Sequence, residues 1–354
     1  MLKSMLSNCN KTFTTDDILY KDNKTCPIKH CRSQLITVPF RQIYEKPYCP
    51  EHGIRIHSHT FVYQNQKEEK MSDIIALQRN LEFNFDCYKR FLNDAKHFKA
   101  ESYRLAYENS EDAVSWNVFT ELKRKELLPL FVRNITGIES KGEPQLYLWT
   151  GKIDFNSPPI KMKEIDETRK VVEKDIKRFK TEPDIIIEVG KEILIFIEAK
   201  FASSNKMAKD KDVKPGQKPI RKKALIERYL SQNKLLDYSF FADGDYLLEI
   251  EPFYEQLFRN LVFCSVIAKM RGCKNWLVVN LRREKQMMHN KGEPSTGDLL
   301  TSVRNLLSPM YQSRFQHITW EKIYRECLKD LPEDDKLKRY FRGKTASCKK
   351  AFEV

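Results

Sequence analysis

The chain has 354 residues, enough for a sizeable core and two or three domains. Its 63 Lys and Arg outweigh 49 Asp and Glu, and the formal net charge of +14 points to a polyanionic partner, nucleic acid first. The N-terminus lacks an apolar signal core, no apolar run reaches membrane-span length, and the nine cysteines are odd in number and scattered. These features argue against a membrane protein or a secreted disulfide scaffold, and the expected setting is reduced and cytoplasmic.

Residues 1–70 show little apolar periodicity and read as irregular. They hold Cys26-Pro-Ile-Lys-His30-Cys31 and, after a spacer of 17, Cys49-Pro-Glu-His52-Gly53. Two short ligand pairs so spaced match a structural zinc ribbon or knuckle, with Cys26, Cys31, Cys49 and His52 as ligands. Thiolates with an imidazole suit tetrahedral Zn²⁺ better than Mg²⁺. His30 in place of Cys31, and His57 or His59 in place of His52, stay open, as does a set of free cysteines. A closed ligand set leaves no position for a reacting water, so the role is bracing an N-terminal module. Arg32, Arg41, Lys46 and Arg55 would suit phosphate contacts, and ordinary surface charge accounts for them equally well.

Residues 71–108 read as a helical connector. Ser110 is an N-cap signal, with Glu111 and Asp112 in the first turn of a helix that runs to about Lys125. Val114, Val118 and Leu122 form its apolar stripe. Glu111 falls on that stripe, three and seven residues before Val114 and Val118; Asp112 points elsewhere. Tyr147 to Thr150 reads as a strand, and Ile165 to Phe179 as a charged helix.

Next come two apolar β-branched runs, Ile185 to Val189 and Ile193 to Ala199, joined through Gly190-Lys191: a β-hairpin. Residues 203–223, with Lys206, Lys209, Lys211, Lys214, Lys218, Arg221, Lys222 and Lys223 among Pro215, Gly216 and Pro219, read as a basic mobile loop. Ala224 to Leu236 and Phe253 to Met270 read as helices, and Asn275 to Asn280 as a buried strand. Gly292 to Gly297 is a loop, Gln316 to Trp320 a short strand, and Glu321 to Leu328 a helix. The tail from Lys329 is polar and charged and is expected to fray. No internal repeat is visible.

The hairpin carries the chemistry. Pro183-Asp184 precedes its first strand and Glu198-Ala-Lys200 ends its second. Charge inside such apolar runs is costly unless something compensates it. Side chains alternate along a strand, so Glu198 and Lys200 share one face, and Asp184 meets Glu198 across the hairpin in a suitable register. Two carboxylates suit a hard cation such as Mg²⁺. An ammonium beside them can orient a water or meet negative charge on phosphorus oxygens.

Pro183-Asp184 with Glu198-x-Lys200 resembles the PD-(D/E)xK nuclease superfamily, the fold of many restriction endonucleases. The order of elements over about residues 100–328, helix, strand, hairpin, helix, strand, strand, helix, resembles that core as well. Lys99-Ala-Glu-Ser-Tyr-Arg-Leu105, Asn109 to Ala113 and Trp116-Asn-Val-Phe119 look like uncharacterised bacterial members. The resemblance implies an α/β (α+β) fold, a mixed central sheet flanked by helices, beside the small zinc module. It implies a nuclease core at 109–328 with a basic insertion at 203–223, and a charged tail at 329–354.

The resemblance further implies Mg²⁺ (or Mn²⁺) held by Asp184 and Glu198, with Lys200 assisting the attacking water. Glu111 would be a supporting acid, although complementing its own helix dipole explains it equally well. Gln256, Arg259 and Asn260 would contact a phosphate or hold the lysine, the alternative being a solvated helix face. The expected activity is phosphodiester hydrolysis in DNA, in restriction or anti-phage defence. The competing readings are a zinc-braced binding protein with an inactive core, or an RNA-directed nuclease. No Walker motif is present, so ATP-driven movement would need a partner ATPase. A methyltransferase or other defence subunit, and a homodimer, are further expected partners.

Overall fold

A computed structural model of the chain describes residues 17–18, 25–40, 44–57, 60–63, 74–93, 103–139, 141–174, 176, 180–205, 207, 220–231, 236–287, 296–346 and 349–354. In chain order the elements are β1 (Ile36–Phe40), β2 (Tyr44–Cys49), β3 (Ile54–Ile56), β4 (Phe61–Tyr63), α1 (Ile74–Asn80), α2 (Phe85–Asn93), α3 (Glu111–Arg124) and α4 (Leu128–Thr136). Then follow β5 (Gln145–Leu148), β6 (Gly151–Lys152), α5 (Lys163–Val172), β7 (Ile185–Val189), β8 (Ile193–Ala199), α6 (Ile220–Ile226), α7 (Gly244–Leu247) and α8 (Glu255–Arg271). The last are β9 (Asn275–Arg282), α9 (Glu284–Met287), α10 (Thr296–Arg304), β10 (Phe315–Thr319), α11 (Trp320–Cys327), α12 (Lys336–Gly343), β11 (Thr345–Ala346) and β12 (Lys349–Lys350). The chain divides into two compact units: residues 1–131, 154–159 and 321–354, and residues 132–153 and 160–320.

The first unit contains an antiparallel four-stranded sheet in the order β1-β2-β3-β4. This differs from the irregular segment expected there; the strands are too short to show a period in sequence. Ser110 caps α3 as expected, its Oγ accepting from the Ala113 N–H at 3.2 Å. Trp116 on α3 is fully buried, with the Tyr88 and Phe91 rings edge-on to it at 5.3 and 5.4 Å.

The C-terminal tail is not frayed. Leu337, Tyr340, Phe341 and Phe352 are buried, and Lys344, 0 % exposed, donates to Glu108 at 3.0 Å and to Asn80 at 2.9 Å. Glu108 also accepts from the Thr345 N–H and hydroxyl, both at 3.1 Å. A few large apolar groups and the buried Lys344–Glu108 pair, with Lys125 pairing to Asp335 at 2.6 Å, anchor this segment.

The second unit is built on a six-stranded mixed sheet in the order β10-β9-β8-β7-β5-β6. β6, β5, β7 and β8 pair antiparallel in turn, whereas β8, β9 and β10 are mutually parallel. β7 and β8 are buried along their whole length, so both faces select Ile, Val, Leu and Phe and no polar alternation appears. α8, with α5 packed beside it, lies on β8 and β9. α8 ends where Gly272 adopts φ 69°, a left-handed C-cap that glycine tolerates without a Cβ clash.

Several bounds differ from the sequence expectation. The strand expected at Tyr147 to Thr150 stops at Leu148, because Trp149 and Thr150 form a turn with φ of 49° and 70°. The helix expected from Ile165 begins at Lys163 and ends at Val172. α6 starts at Ile220, inside the segment read as basic loop, and the following turn, Glu227–Ser231, is a π-helix. Lys222 is buried rather than free: it donates to the Leu248 carbonyl at 3.0 Å, to the Ile250 carbonyl and to Glu251. Lys206, Lys209, Lys211, Lys214, Lys218, the 94–102 segment, His59 and the loop from Gly292 to Ser295 lie outside the described residues.

Candidate active site and metal centre

The β7–β8 register pairs Ile185 with Ile197, so the next position pairs Asp184 with Glu198. The hairpin thus brings the two carboxylates opposite each other. Asp184 is 8 % exposed and Glu198 0 %. The Asp184 Oδ2 accepts from the Ala199 backbone N–H at 3.0 Å, which fixes the acid against the end of β8. The Asp184 carbonyl accepts from the Trp149 N–H at 3.2 Å. Trp149 sits in the tight β5–β6 turn beside Thr150, a β-branched residue held at positive φ. A strained turn therefore supports the backbone of Asp184.

Lys200, 6 % exposed, lies two residues beyond Glu198 on the same face, and its Nζ contacts Glu198 Oε1. Its backbone is pinned from both sides: the N–H donates to the Leu281 carbonyl at 2.7 Å, and the carbonyl accepts from Trp320 Nε1 at 3.1 Å. Asn260 reaches down from α8 and donates to the other Glu198 oxygen at 3.0 Å. Burial first, and then the facing Asp184 carboxylate, raise the Glu198 carboxyl above its ordinary range, against the opposing effect of Lys200. With both carboxyls ionised, two negative charges face one ammonium, and the site is short of positive charge. A divalent cation with oxygen preference would offset this shortfall, and Asp184 and Glu198 are the residues fitted to hold one.

The three polar residues of α8 divide. Asn260 is 1 % exposed and its amide is engaged with Glu198. Arg259 pairs with Glu255 one turn earlier. Gln256 is half-buried at the start of the helix. Glu111 is half-buried in the first turn of α3 and belongs to the first unit, whereas Asp184, Glu198 and Lys200 belong to the second.

The sequence reading missed a polar row across the same sheet. Parallel register sets Asn280 of β9 beside Glu198, and His317 of β10 beside Asn280. Asn280 is fully buried; it accepts from Asn205 Nδ2 at 3.1 Å and lies 3.2 Å from His317 Nδ1. The available signal was Asn280 interrupting the apolar run Trp276 to Leu281.

In the first unit, Cys26, Cys31, Cys49 and His52 come together, with their ligand atoms all within 4.8 Å of one another. The Cys31–Cys49 sulfurs are 3.8 Å apart, and His52 Nδ1 lies 3.6 Å from both Cys26 and Cys49. A zinc tetrahedron with ordinary Zn–S and Zn–N bonds has edges of about 3.8 Å (S···S) and about 3.6 Å (S···N). The donor set and its spacing therefore fit Zn²⁺. Gly53, at φ 62°, donates to the Cys49 carbonyl at 2.9 Å and turns the chain so that His52 faces Cys49. The neighbouring sulfurs set the thiols apart: Cys49, aided by Cys26, is lowered to about 4, whereas Cys26 is raised. His30 is exposed at φ 61°, and the His57 ring packs on Tyr107, so neither joins the group. Arg55 is fully buried, which corrects the expectation that it could contact phosphate.

No helix among the described residues is long and apolar enough to cross a membrane. Searches of curated proteins and of solved structures return no match. A model of one family, Restriction Endonuclease associating with ARP (REase-ARP), matches residues 48–344, a range that holds Asp184, Glu198, Lys200, Cys49 and His52 but begins after Cys26 and Cys31. The chain thus belongs to the REase-ARP family of restriction-endonuclease type.

Proposed function

We propose that this protein is a Mg²⁺-dependent endonuclease of the PD-(D/E)xK kind that hydrolyses phosphodiester bonds in DNA, in restriction or anti-phage defence. The observation that carries the reading is the buried Asp184–Glu198 pair with Lys200 on the same strand face. The order α3, β5, β7, β8, α8, β9, with β9 parallel to β8, supports the corresponding nuclease core over 109–328. Family membership supports the restriction-endonuclease type of activity.

Mg²⁺ would supply Lewis-acid polarisation of the phosphate and an activated water. Asp184 and Glu198 would hold the cation, and each is itself fixed: Asp184 by the Ala199 N–H, Glu198 by Asn260. Lys200 keeps its ammonium beside Glu198, where it orients the attacking water and meets the negative charge that builds on the phosphorus oxygens. A supporting role for Glu111 rests on the resemblance alone, since it belongs to the other compact unit. Gln256 and Arg259 are candidate phosphate contacts. Asn260 acts as a positioning residue, since its amide is engaged with Glu198.

Zn²⁺ in the Cys26, Cys31, Cys49, His52 set is structural and braces an N-terminal module at 1–70. The excess of basic residues favours a polyanionic substrate. The family description names association with ARP, so a protein partner belongs to the proposal; self-association and a separate ATPase are further partners to test. The test is cleavage by purified Asp184→Ala and Lys200→Ala variants, with folding checked by circular dichroism. Loss of Mg²⁺-dependent cleavage in both is expected, and undiminished cleavage by either overturns the assignment.

A further inference from the structure

The row of side chains that begins at Asp184 and Glu198 does not end there. Asn280 is in register with Glu198 on one side and His317 on the other. Phe196, Val278 and Phe315, two positions earlier on the same three strands, belong to the core that also holds the α8 residues Leu257, Leu261 and Val262. Alternation then puts Glu198, Asn280 and His317 on that same face, toward the C-terminal ends of the parallel strands. Strands lie about 4.8 Å apart, so the His317 backbone is about 10 Å from that of Glu198.

The hydrogen-bond directions along the row follow from the Asn205–Asn280 contact. Asn205 donates its amide to Asn280 Oδ1, so Asn280 turns its own amide toward His317. His317 Nδ1 must accept, and the proton of the neutral ring is then on Nε2. Burial, and then the nearby Arg282 guanidinium, lower His317 to about 4, so the ring is neutral at physiological pH. Among the described residues, this Nε2–H has no hydrogen-bond partner although the atom is covered, and the Asn205 Oδ1 at the other end of the row has none either. A covered donor with no protein acceptor can be paired by an oxygen of a bound ligand. His317 as a residue is only partly buried, so a ligand at the strand ends reaches it with a small displacement.

We propose that His317 is a substrate-contact residue, its Nε2–H donating to a phosphate oxygen of the nucleic-acid strand beside the bond cleaved at Asp184 and Glu198, with Asn280 as the positioning residue that fixes the ring. The inference rests on the nuclease reading for the location of the cleaved bond, but the contact itself is one of binding. A neutral imidazole donates a hydrogen bond without neutralising a charge. It therefore contributes affinity without releasing a counterion, unlike a Lys or Arg contact.

The experiment measures binding of a fluorescein-labelled DNA duplex to the full chain in EDTA, across a salt series, for the wild type, His317→Phe and His317→Gln. Cleavage kinetics in Mg²⁺ are recorded in parallel. Phe keeps the ring shape without the N–H, whereas the Gln amide reaches close to the position of Nε2. His317→Phe is expected to raise Kd about tenfold, with an unchanged slope of log K against log salt. In cleavage, KM should rise with kcat nearly preserved, and His317→Gln should recover most of the loss. An unchanged Kd for His317→Phe overturns the proposal, as does equal weakness of the Phe and Gln variants, which would mean a packing role. If the wild type never cuts but His317→Phe still weakens binding with the slope unchanged, the nuclease reading fails and the contact stands. If the wild type cuts and His317→Phe binds normally, the contact alone fails.

Discussion

Glu198→Gln is expected to make the metal-free protein more stable while abolishing its response to Mg²⁺. Glu198 is 0 % exposed and faces Asp184, with Lys200 as the ammonium in contact and Asn260 as the amide donor. Once both are ionised, two carboxylates against one cation leave one buried negative charge uncompensated. Gln keeps the shape and an oxygen for Asn260 but removes that charge. Relief of the burial penalty that raises the Glu198 carboxyl, less the loss of its contact with Lys200, is worth about 2 kcal/mol, or roughly 4–8 °C in Tm for a folding unit of this size. The sign with pH follows from the raised Glu198 carboxyl. The folded state holds this proton more tightly than the unfolded one, so the stability contribution is present below the ordinary glutamate value of 4.5 and is lost as pH rises above it. The gap between variant and wild type should therefore widen from about pH 5 to about pH 7.5. Thermal melts in EDTA and in Mg²⁺ at both pH values read all of this. Mg²⁺ should raise the wild-type Tm and leave Glu198→Gln unmoved. A variant less stable than wild type in EDTA, or one stabilised by Mg²⁺ to the same extent, would refute the charge argument.

Asn260→Ala should raise the Mg²⁺ concentration for half-maximal cleavage by about 10–100-fold, since it frees a carboxylate oxygen that the amide now fixes; an unchanged metal titration would show that Asn260 does not position Glu198. Lys344→Met should destabilise the first unit by about 3–5 kcal/mol, because it strands the buried Glu108 carboxylate. Urea unfolding measures this, and pairing it with Glu108→Gln should recover part of the loss. Purified protein should carry about one zinc per chain by elemental analysis. Cys49→Ser should abolish that zinc while sparing Mg²⁺-dependent cleavage chemistry at Asp184, whereas full zinc retention would remove Cys49 from the ligand set.

The hairpin was legible because β7 and β8 are buried on both faces and flanked by turn residues, so charge at Asp184, Glu198 and Lys200 stood out against Ile and Val. The cysteine group was legible from spacing alone, and the fold brings together the four residues that the spacing selects. The polar row was not legible: Asn280 and His317 lie 37 residues apart in sequence, and only parallel register sets them side by side. Asn260 was readable as a polar residue on α8, but that its amide faces Glu198 and not solvent depends on how the helix lies on β8. The tail misled because Lys, Arg and Glu dominate its composition, while its order depends on Leu337, Tyr340, Phe341 and the Lys344–Glu108 pair. The β1–β4 sheet was missed because strands of three to six residues give too few alternations to detect.

The most direct test of the central claim is cleavage of labelled DNA and of labelled RNA by the purified full chain, with Mg²⁺ and with EDTA, beside Lys200→Ala. Cutting of DNA that requires Mg²⁺ and disappears in Lys200→Ala is the predicted result. DNA left intact under all conditions, or cutting that persists in EDTA or in Lys200→Ala, would contradict it.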